Sequence, residues 1–188
     1  MRRILRVGLG LLVILSCVSA CQETQPEPQT LGEAEGVLQI ETGAFESGGT
    51  ISQRYTCDGE DLSPSLSWSE PPAGTQSLIL ICDDPDAPSG TWTHWVLFNI
   101  PAMARSLPEG IPADPLVEGA GTHGANSWRH LGYGGPCPPE GSAHRYQFQL
   151  YALDISLDLE PGASRSEVAK AIKDHVLAEG QLLGRYSR

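Results

Sequence analysis

Basic residues are scarce in this 188-residue chain, in which 12 lysines and arginines stand against 23 aspartates and glutamates. Nucleic-acid binding needs clustered cations to neutralise phosphates, so so acidic a chain is not expected to bind it. The same shortage argues against electrostatic docking on an anionic lipid surface. Long apolar runs are also lacking: the N-terminal stretch Val7 to Leu15 falls far short of the roughly 20 residues that span a bilayer. Neither G-x-S-x-G nor H-E-x-x-H occurs, which removes the nucleophile elbow and the helical zinc-protease site. No internal repeat is found.

What the N-terminus does contain is an address. Arg2, Arg3 and Arg6 precede the apolar stretch, and small residues from Ser16 to Ala20 lead to Cys21. A basic head, a short apolar middle and a small-residue exit describe a secretory signal over residues 1–20. Val18-Ser19-Ala20-Cys21 resembles the lipobox of bacterial lipoproteins, with Cys21 as the lipidated residue; Ile14-Leu15-Ser16-Cys17 is a poorer rival. Residues 21–36 (CQETQPEPQTLGEAEG) then carry the lipidated cysteine and a polar, acidic stretch with two prolines. It cannot bury enough apolar surface to offset chain ordering and is expected to be a disordered tether. Residues 37–188 make one domain of ordinary size. Without the three signal arginines the mature chain, tether included, carries 9 basic against 23 acidic residues, a net charge of −14, read as solubility. The expected location is the extracytoplasmic side of a bacterial cell membrane, held through a lipid anchor only.

Within the domain, apolar alternation and turn residues favour strands. Strands are expected over Val37–Ile40, over Ser77–Cys82 as a run buried on both faces, over Thr93–Ile100 and over Arg145–Leu153. Between them run loops rich in proline and glycine, long enough in a compact domain to carry function. Ser164 and Glu167 form a capping box. Val168, Ile172 and Val176 continue at helical spacing and Gly180 supplies a stop, with a short strand through Leu182-Leu183. The expected fold is mainly β: two antiparallel sheets and a helix near the C-terminus.

Reactive side chains gather in two segments. One is Asp83-Asp84-Pro85-Asp86-Ala87-Pro88 followed by Trp92, His94 and Trp95. The other is Gly132 to Pro139 followed by His144, Arg145 and Tyr146. Alternation along a strand puts His94 on the face of Val96 and Phe98, and His144 on the face of Tyr146, Phe148 and Leu150. Two such rows side by side would bring two imidazoles and a phenol to the mouth of the core. Arg145 then points the other way, toward surface acids, and Asp86 reads as a turn-former.

DDPDAPSGTWTHW and GYGGPCPPEGSAHRYQF resemble the two signatures of the phosphatidylethanolamine-binding (Raf kinase inhibitor-like) family, and RYTCDGEDLSPSLSW resembles the segment that opens its bacterial members. The resemblance runs in order from Phe45 to Asp154 and implies a two-sheet β domain with a small pocket for phosphate-like anions, phosphoethanolamine head groups included. By motif position its lining here would be Asp84, Pro88, Trp92, His94, Pro138, His144 and Tyr146. Imidazole N–H groups and a phenol donate well to anions, while Asp84 would fix one histidine's tautomer. The stretch Ser127-Trp128-Arg129-His130 departs from the family pattern, which leaves ligand choice open, and His123 and His130 receive no role. With Cys17 removed and Cys21 lipidated, Cys82 is expected as a buried apolar residue. Cys57 and Cys137, both in loops beside the presumed site, are expected to pair, since export favours disulfides.

The leading expectation is a binding protein for a small phosphorylated or anionic ligand, without a cofactor or bound metal. By resemblance it would also modulate a protein target, a kinase or a hydrolase. The alternative is a hydrolase that uses Cys137, His144 and Asp84 as nucleophile, base and orienter, or a metal held by Asp84, His94 and His144. A third reading is a structural module whose pocket is vestigial.

Overall fold

A computed structural model of the chain describes residues 36–188. The signal segment, the lipidation of Cys21 and the tether up to Glu35 lie outside the described residues. Among the described residues no helix is long and apolar enough to cross a membrane. In chain order the elements are β1 (Gly36–Val37), β2 (Ile40–Glu41), a 3-10 turn (Gln53–Tyr55), β3 (Leu66–Trp68), β4 (Ser77–Asp84), β5 (Trp92–Pro101), β6 (Ser106–Leu107), β7 (Leu116–Val117), β8 (Gly121–His123), β9 (His144–Leu153), α1 (Arg165–Ala171) and β10 (Val176–Tyr186). Seven strands form one sheet in the order β1-β10-β9-β4-β5-β8-β7, and β2-β3-β6 form a second. All pairings are antiparallel except β1 with β10.

The continuous apolar run of β4 is explained by what covers it, for all eight of its residues are buried. Leu78, Leu80 and Cys82 enter the core between the two sheets with Leu66, Trp68, Phe148 and Leu150. Ile79 and Ile81 point the other way, into a second core closed by Val168, Ile172 and Leu157. A strand covered on both faces has no polar side to show. Each leucine or isoleucine so buried contributes roughly 1.5–3 kcal/mol.

Three expectations need correction. Val37–Ile40 is not one strand: β1 joins the large sheet and β2 the small one, so the chain crosses between layers at Leu38 and Gln39. The capping box at Ser164 and Glu167 is present, but the helix stops at Ala171, with Ile172 as its cap and Asp174 in the left-handed region at φ 68°. Val176 and Gly180 belong to β10, which pairs with β9 along most of its length. Its inward positions are Ala178, Gly180, Leu182, Gly184 and Tyr186, a period of two hidden by the glycines. Space demands those glycines: a Cβ at Gly180 would lie 2.2 Å from the Leu38 carbonyl oxygen, and one at Gly184 2.6 Å from Ile51 Cδ1. The short strand expected at Leu182-Leu183 is thus the middle of an eleven-residue one.

Candidate functional site

The three carboxylates at the end of β4 each have a cationic or histidine partner of their own. Asp83, on the helix side of the sheet, accepts from Thr93 Oγ1 at 2.7 Å and from Arg165 Nε at 2.8 Å. Asp84, on the opposite face, accepts the Asp86 backbone N–H through Oδ1 and the His144 Nδ1–H through Oδ2, both at 2.8 Å. The Asp84 and His144 side chains are nearly sealed, at 5 % and 9 % exposure. Asp86 takes two bonds from the Arg145 guanidinium, at 2.8 and 2.6 Å, and a third from the Arg145 backbone. The Arg145 guanidinium holds the Asp86 carboxyl down at about 2. Asp86 is therefore more than a turn-former, since it ties the turn after β4 to the start of β9.

His94 reaches the site through a backbone irregularity. Cys82 pairs with Trp95, whereas Asp83 pairs with Thr93, so β5 carries one extra residue at this point. Such a bulge breaks alternation and re-aims a side chain. His94 does not share the face of Val96 and Phe98, which lie in the helix-side core. Its ring packs edge-on against Tyr146, with centroids 5.1 Å apart and planes at 84°, and Tyr146 belongs to the inter-sheet core. His144, two residues before Tyr146 on β9, keeps the expected face. The two histidines and the phenol converge, although one of them does so by a different route from strand alternation.

His94 Nδ1 donates to the Gly134 carbonyl at 2.6 Å. Burial lowers the ring's pKa, against an opposing push from that carbonyl, from Asp84, from the Gly135 backbone and from Asp83, and so favours the neutral ring. The Tyr146 hydroxyl is fully buried and forms no hydrogen bond of ordinary geometry among the described residues, with the Asp84 carboxylate close by as a weak acceptor at most. Burial and the neighbouring Asp84 charge raise its pKa far above the ordinary phenol, so it keeps its proton. Trp92 Nε1 is likewise buried and unpartnered. Pro138 is buried in the second loop, while Pro88 lies exposed in the turn between β4 and β5.

Two contributors were not singled out from the sequence. Trp128 meets both Trp92 and His94 edge-on, at 5.3 and 5.0 Å, and stays 39 % exposed. Its loop is docked on β5 by reciprocal bonds between Thr93 and Ser127, and the Asn126 side chain caps the backbone of Trp128 and His130. The other is the seat of the loop that carries Gly134. Tyr133 donates to the Tyr55 carbonyl at 2.8 Å, Gly135 N–H to Asp61 Oδ1 at 2.7 Å and Cys57 N–H to the Pro136 carbonyl at 3.2 Å. Cys57 and Cys137 form a disulfide with Cα atoms 5.5 Å apart, and Cys82 is free and buried. A lone tryptophan in an irregular loop and a backbone carbonyl give no sequence signal.

The hydrolase alternative loses its nucleophile, because the Cys137 sulfur is consumed in the disulfide. The metal alternative lacks its geometry: among the described residues no three His, Cys, Asp or Glu side chains cluster so as to hold an ion.

The family model for phosphatidylethanolamine-binding protein matches residues 41–187. A UPF0098 protein of Methanothermobacter thermautotrophicus is 53% identical over 151 residues, covering 80% of this chain and 99% of that one. A UPF0098 protein of Pyrococcus horikoshii is 40% identical and covers 100% of this chain and 91% of its own length. Among solved structures, a phosphatidylethanolamine-binding protein homologue from Chlamydia trachomatis superposes with a TM-score of 0.74 at 35% identity, covering 81% of this chain and 99% of that one. The Escherichia coli protein YbcL, described as a new member of the mammalian family, gives 0.74 at 31% identity, over 82% of this chain and 99% of its own.

Proposed function

The chain belongs to the phosphatidylethanolamine-binding protein family, and on that footing we propose that it is an exported, lipid-anchored binding protein whose Asp84–His94–His144–Tyr146 cluster holds a small phosphate-like anion. The Tyr146 hydroxyl carries this reading. A buried polar group left without a partner costs roughly 1–3 kcal/mol, and such groups concentrate where a ligand or an ordered water completes the bonding. A ligand oxygen accepting from this hydroxyl supplies the well-formed bond that the neighbouring Asp84 does not, and recovers part of that cost. Around it the Trp92 and Trp128 rings exclude water, which strengthens the remaining polar contacts. The Asp84–His144 bond supports the same role by fixing the orientation of the second imidazole.

Titration calorimetry with phosphoethanolamine, inorganic phosphate and acetate tests the site. Wild type should bind the phosphate compounds, and Tyr146→Phe should weaken them about tenfold, the worth of one hydrogen bond to a charged group. No binding by wild type, or unchanged binding by both Tyr146→Phe and His144→Ala, refutes it. The disulfide supports the exported location, because such bonds persist mainly outside reducing cytosol. Fractionation of a Cys21→Ser variant in a bacterial host checks the anchor: wild type should pellet with membranes and the variant should be released. Equal membrane partition of the two removes the anchor.

A further inference from the structure

We propose that His94 meets the ligand as a proton acceptor, so that the site selects oxyanions carrying a hydrogen (hydrogenphosphate or a phosphomonoester monoanion) over sulfate. The inference rests on the anion reading above and adds a chemical class to it.

The argument starts from a tautomer. A carbonyl oxygen has no proton to give, so the 2.6 Å contact between His94 Nδ1 and the Gly134 carbonyl requires the N–H on Nδ1. In a neutral imidazole the other nitrogen, Nε2, then presents only a lone pair; the ring's one well-formed hydrogen bond among the described residues is made by Nδ1, with the Gly135 backbone also near the ring. The arrangement is not free to invert. The ring is wedged edge-on between Tyr146 at 5.1 Å and Trp128 at 5.0 Å. The Gly134 carbonyl sits in a loop fastened by the disulfide and by bonds from Tyr133, Gly135 and Cys57.

The charged and titratable groups around this ring come from every neighbouring element. They are Asp83 and Asp84 on β4, His144 and Tyr146 on β9, and Arg145 and Asp86, paired with each other, at the rim. Asp84 and Asp83 favour an imidazolium, but burial outweighs them and shifts the ring toward its neutral form.

Sulfate at neutral pH offers acceptors only, and one of its oxygens would face the Nε2 lone pair. A phosphate that retains one proton offers both roles on one tetrahedral group: its P–O–H donates to His94 Nε2 while another oxygen accepts from the Tyr146 hydroxyl. The second ionisation of a phosphate ester lies near 6. At pH 8 only about 1 % of the ester still carries that proton, so apparent affinity should fall about tenfold for each pH unit above roughly 6.

The test is titration calorimetry of the full domain with phosphoethanolamine, inorganic phosphate and sulfate at pH 6 and pH 8, in two buffers of different ionisation heat. The expected result is binding of both phosphate compounds, uptake of close to one proton per phosphoethanolamine at pH 8, and sulfate weaker by a hundredfold or more at both pH values than inorganic phosphate, which as hydrogenphosphate still carries a proton at pH 8. Sulfate binding on a par with inorganic phosphate at pH 8, or phosphoethanolamine binding at pH 8 with no proton uptake, overturns the inference and leaves the anion site standing. Sulfate binding at pH 6 with uptake of a proton also overturns it, since His94 itself would then have been protonated. If no anion binds at either pH, the anion site and this inference fall together. His94→Gln provides an independent check, because an amide can turn its NH2 to the ligand. The variant should lose the preference against sulfate, and a preference that survives in a folded His94→Gln protein refutes the role of Nε2.

Discussion

Removing the Cys57–Cys137 bridge separates two jobs that a disulfide beside a binding site can do. The bonded cysteines are 80 residues apart in sequence. Closing a loop of that size removes denatured-state freedom worth about 4.5 kcal/mol at 25 °C in the chain-entropy treatment. For a domain of about 150 residues, each kcal/mol moves the melting temperature by about 2–4 °C. The double substitution Cys57→Ala/Cys137→Ala should therefore lower the melting temperature by about 9–18 °C, with the same loss in denaturant unfolding. The native loop itself should hardly move, because Gly135 still donates to Asp61, Tyr133 to the Tyr55 carbonyl and residue 57 to the Pro136 carbonyl. Phosphoethanolamine affinity should accordingly stay within about twofold of wild type, well under one hydrogen bond's worth. Urea unfolding with and without ligand measures both quantities. A stability loss below about 1 kcal/mol would show that the bridge does not restrain the unfolded chain. A collapse of affinity with stability preserved would show instead that the bridge is a strut of the site.

Arg145 depresses the Asp86 carboxyl to about 2 from 3.8. The pair's contribution is complete above about pH 4 and drains as pH falls through 2; it is small, because Arg145 is 44 % exposed and solvent screens the pair. Asp86→Asn should flatten the acid limb of a stability-against-pH curve between pH 4 and 2, and an unchanged limb refutes the assignment. Arg165→Ala leaves the Asp83 carboxylate, 3 % exposed, with Thr93 as its remaining side-chain partner. It should cost about 1–3 kcal/mol in urea unfolding, less than a fully buried pair because Arg165 itself is partly in water. A Cβ at Gly135 would come within 2.5 Å of Asp61 Oδ1 and of the Tyr55 carbonyl. Gly135→Ala should therefore lift the loop, release the Gly134 carbonyl from His94 and lower phosphoethanolamine affinity at least tenfold; a folded variant with wild-type affinity contradicts that seat.

The layering of the fold was legible wherever one physical signal dominated. The run Ser77–Cys82 announced a strand covered on both faces, and residues 36–188 supply a sheet and a helix to cover it. Ser164 and Glu167 announced a helix start, and the cap is formed. The signal failed at β10, because glycine is neutral in a hydropathy pattern. Gly180 and Gly184 occupy inward positions where the Leu38 backbone and the Ile51 side chain leave no room for a Cβ, so close packing erased the alternation that would have marked the strand. Val168, Ile172 and Val176 kept helical spacing across a real helix end, since Asp174 reverses the chain by a backbone angle that no periodicity records.

The candidate site shows the same division between what side-chain identity carries and what the backbone supplies. The signature segments named His94, His144, Tyr146 and Asp84, and the structure brings them together. Alternation alone would have sent His94 into the helix-side core with Val96 and Phe98. The extra residue of β5 turns it to the Tyr146 face, and the partner of its Nδ1 is a main-chain carbonyl. The acidic run that looks ill-suited to an anion site is reconciled by the same geometry. Asp83 is answered by Arg165 behind the sheet, Asp86 by Arg145 at the rim, and Asp84 by His144. The charge nearest the proposed anion position is thereby spent on holding a histidine in place. What remains to meet an oxyanion is a set of directed hydrogen-bonding groups, which is why ligand choice here should depend on where the ligand carries its proton more than on how much negative charge it bears.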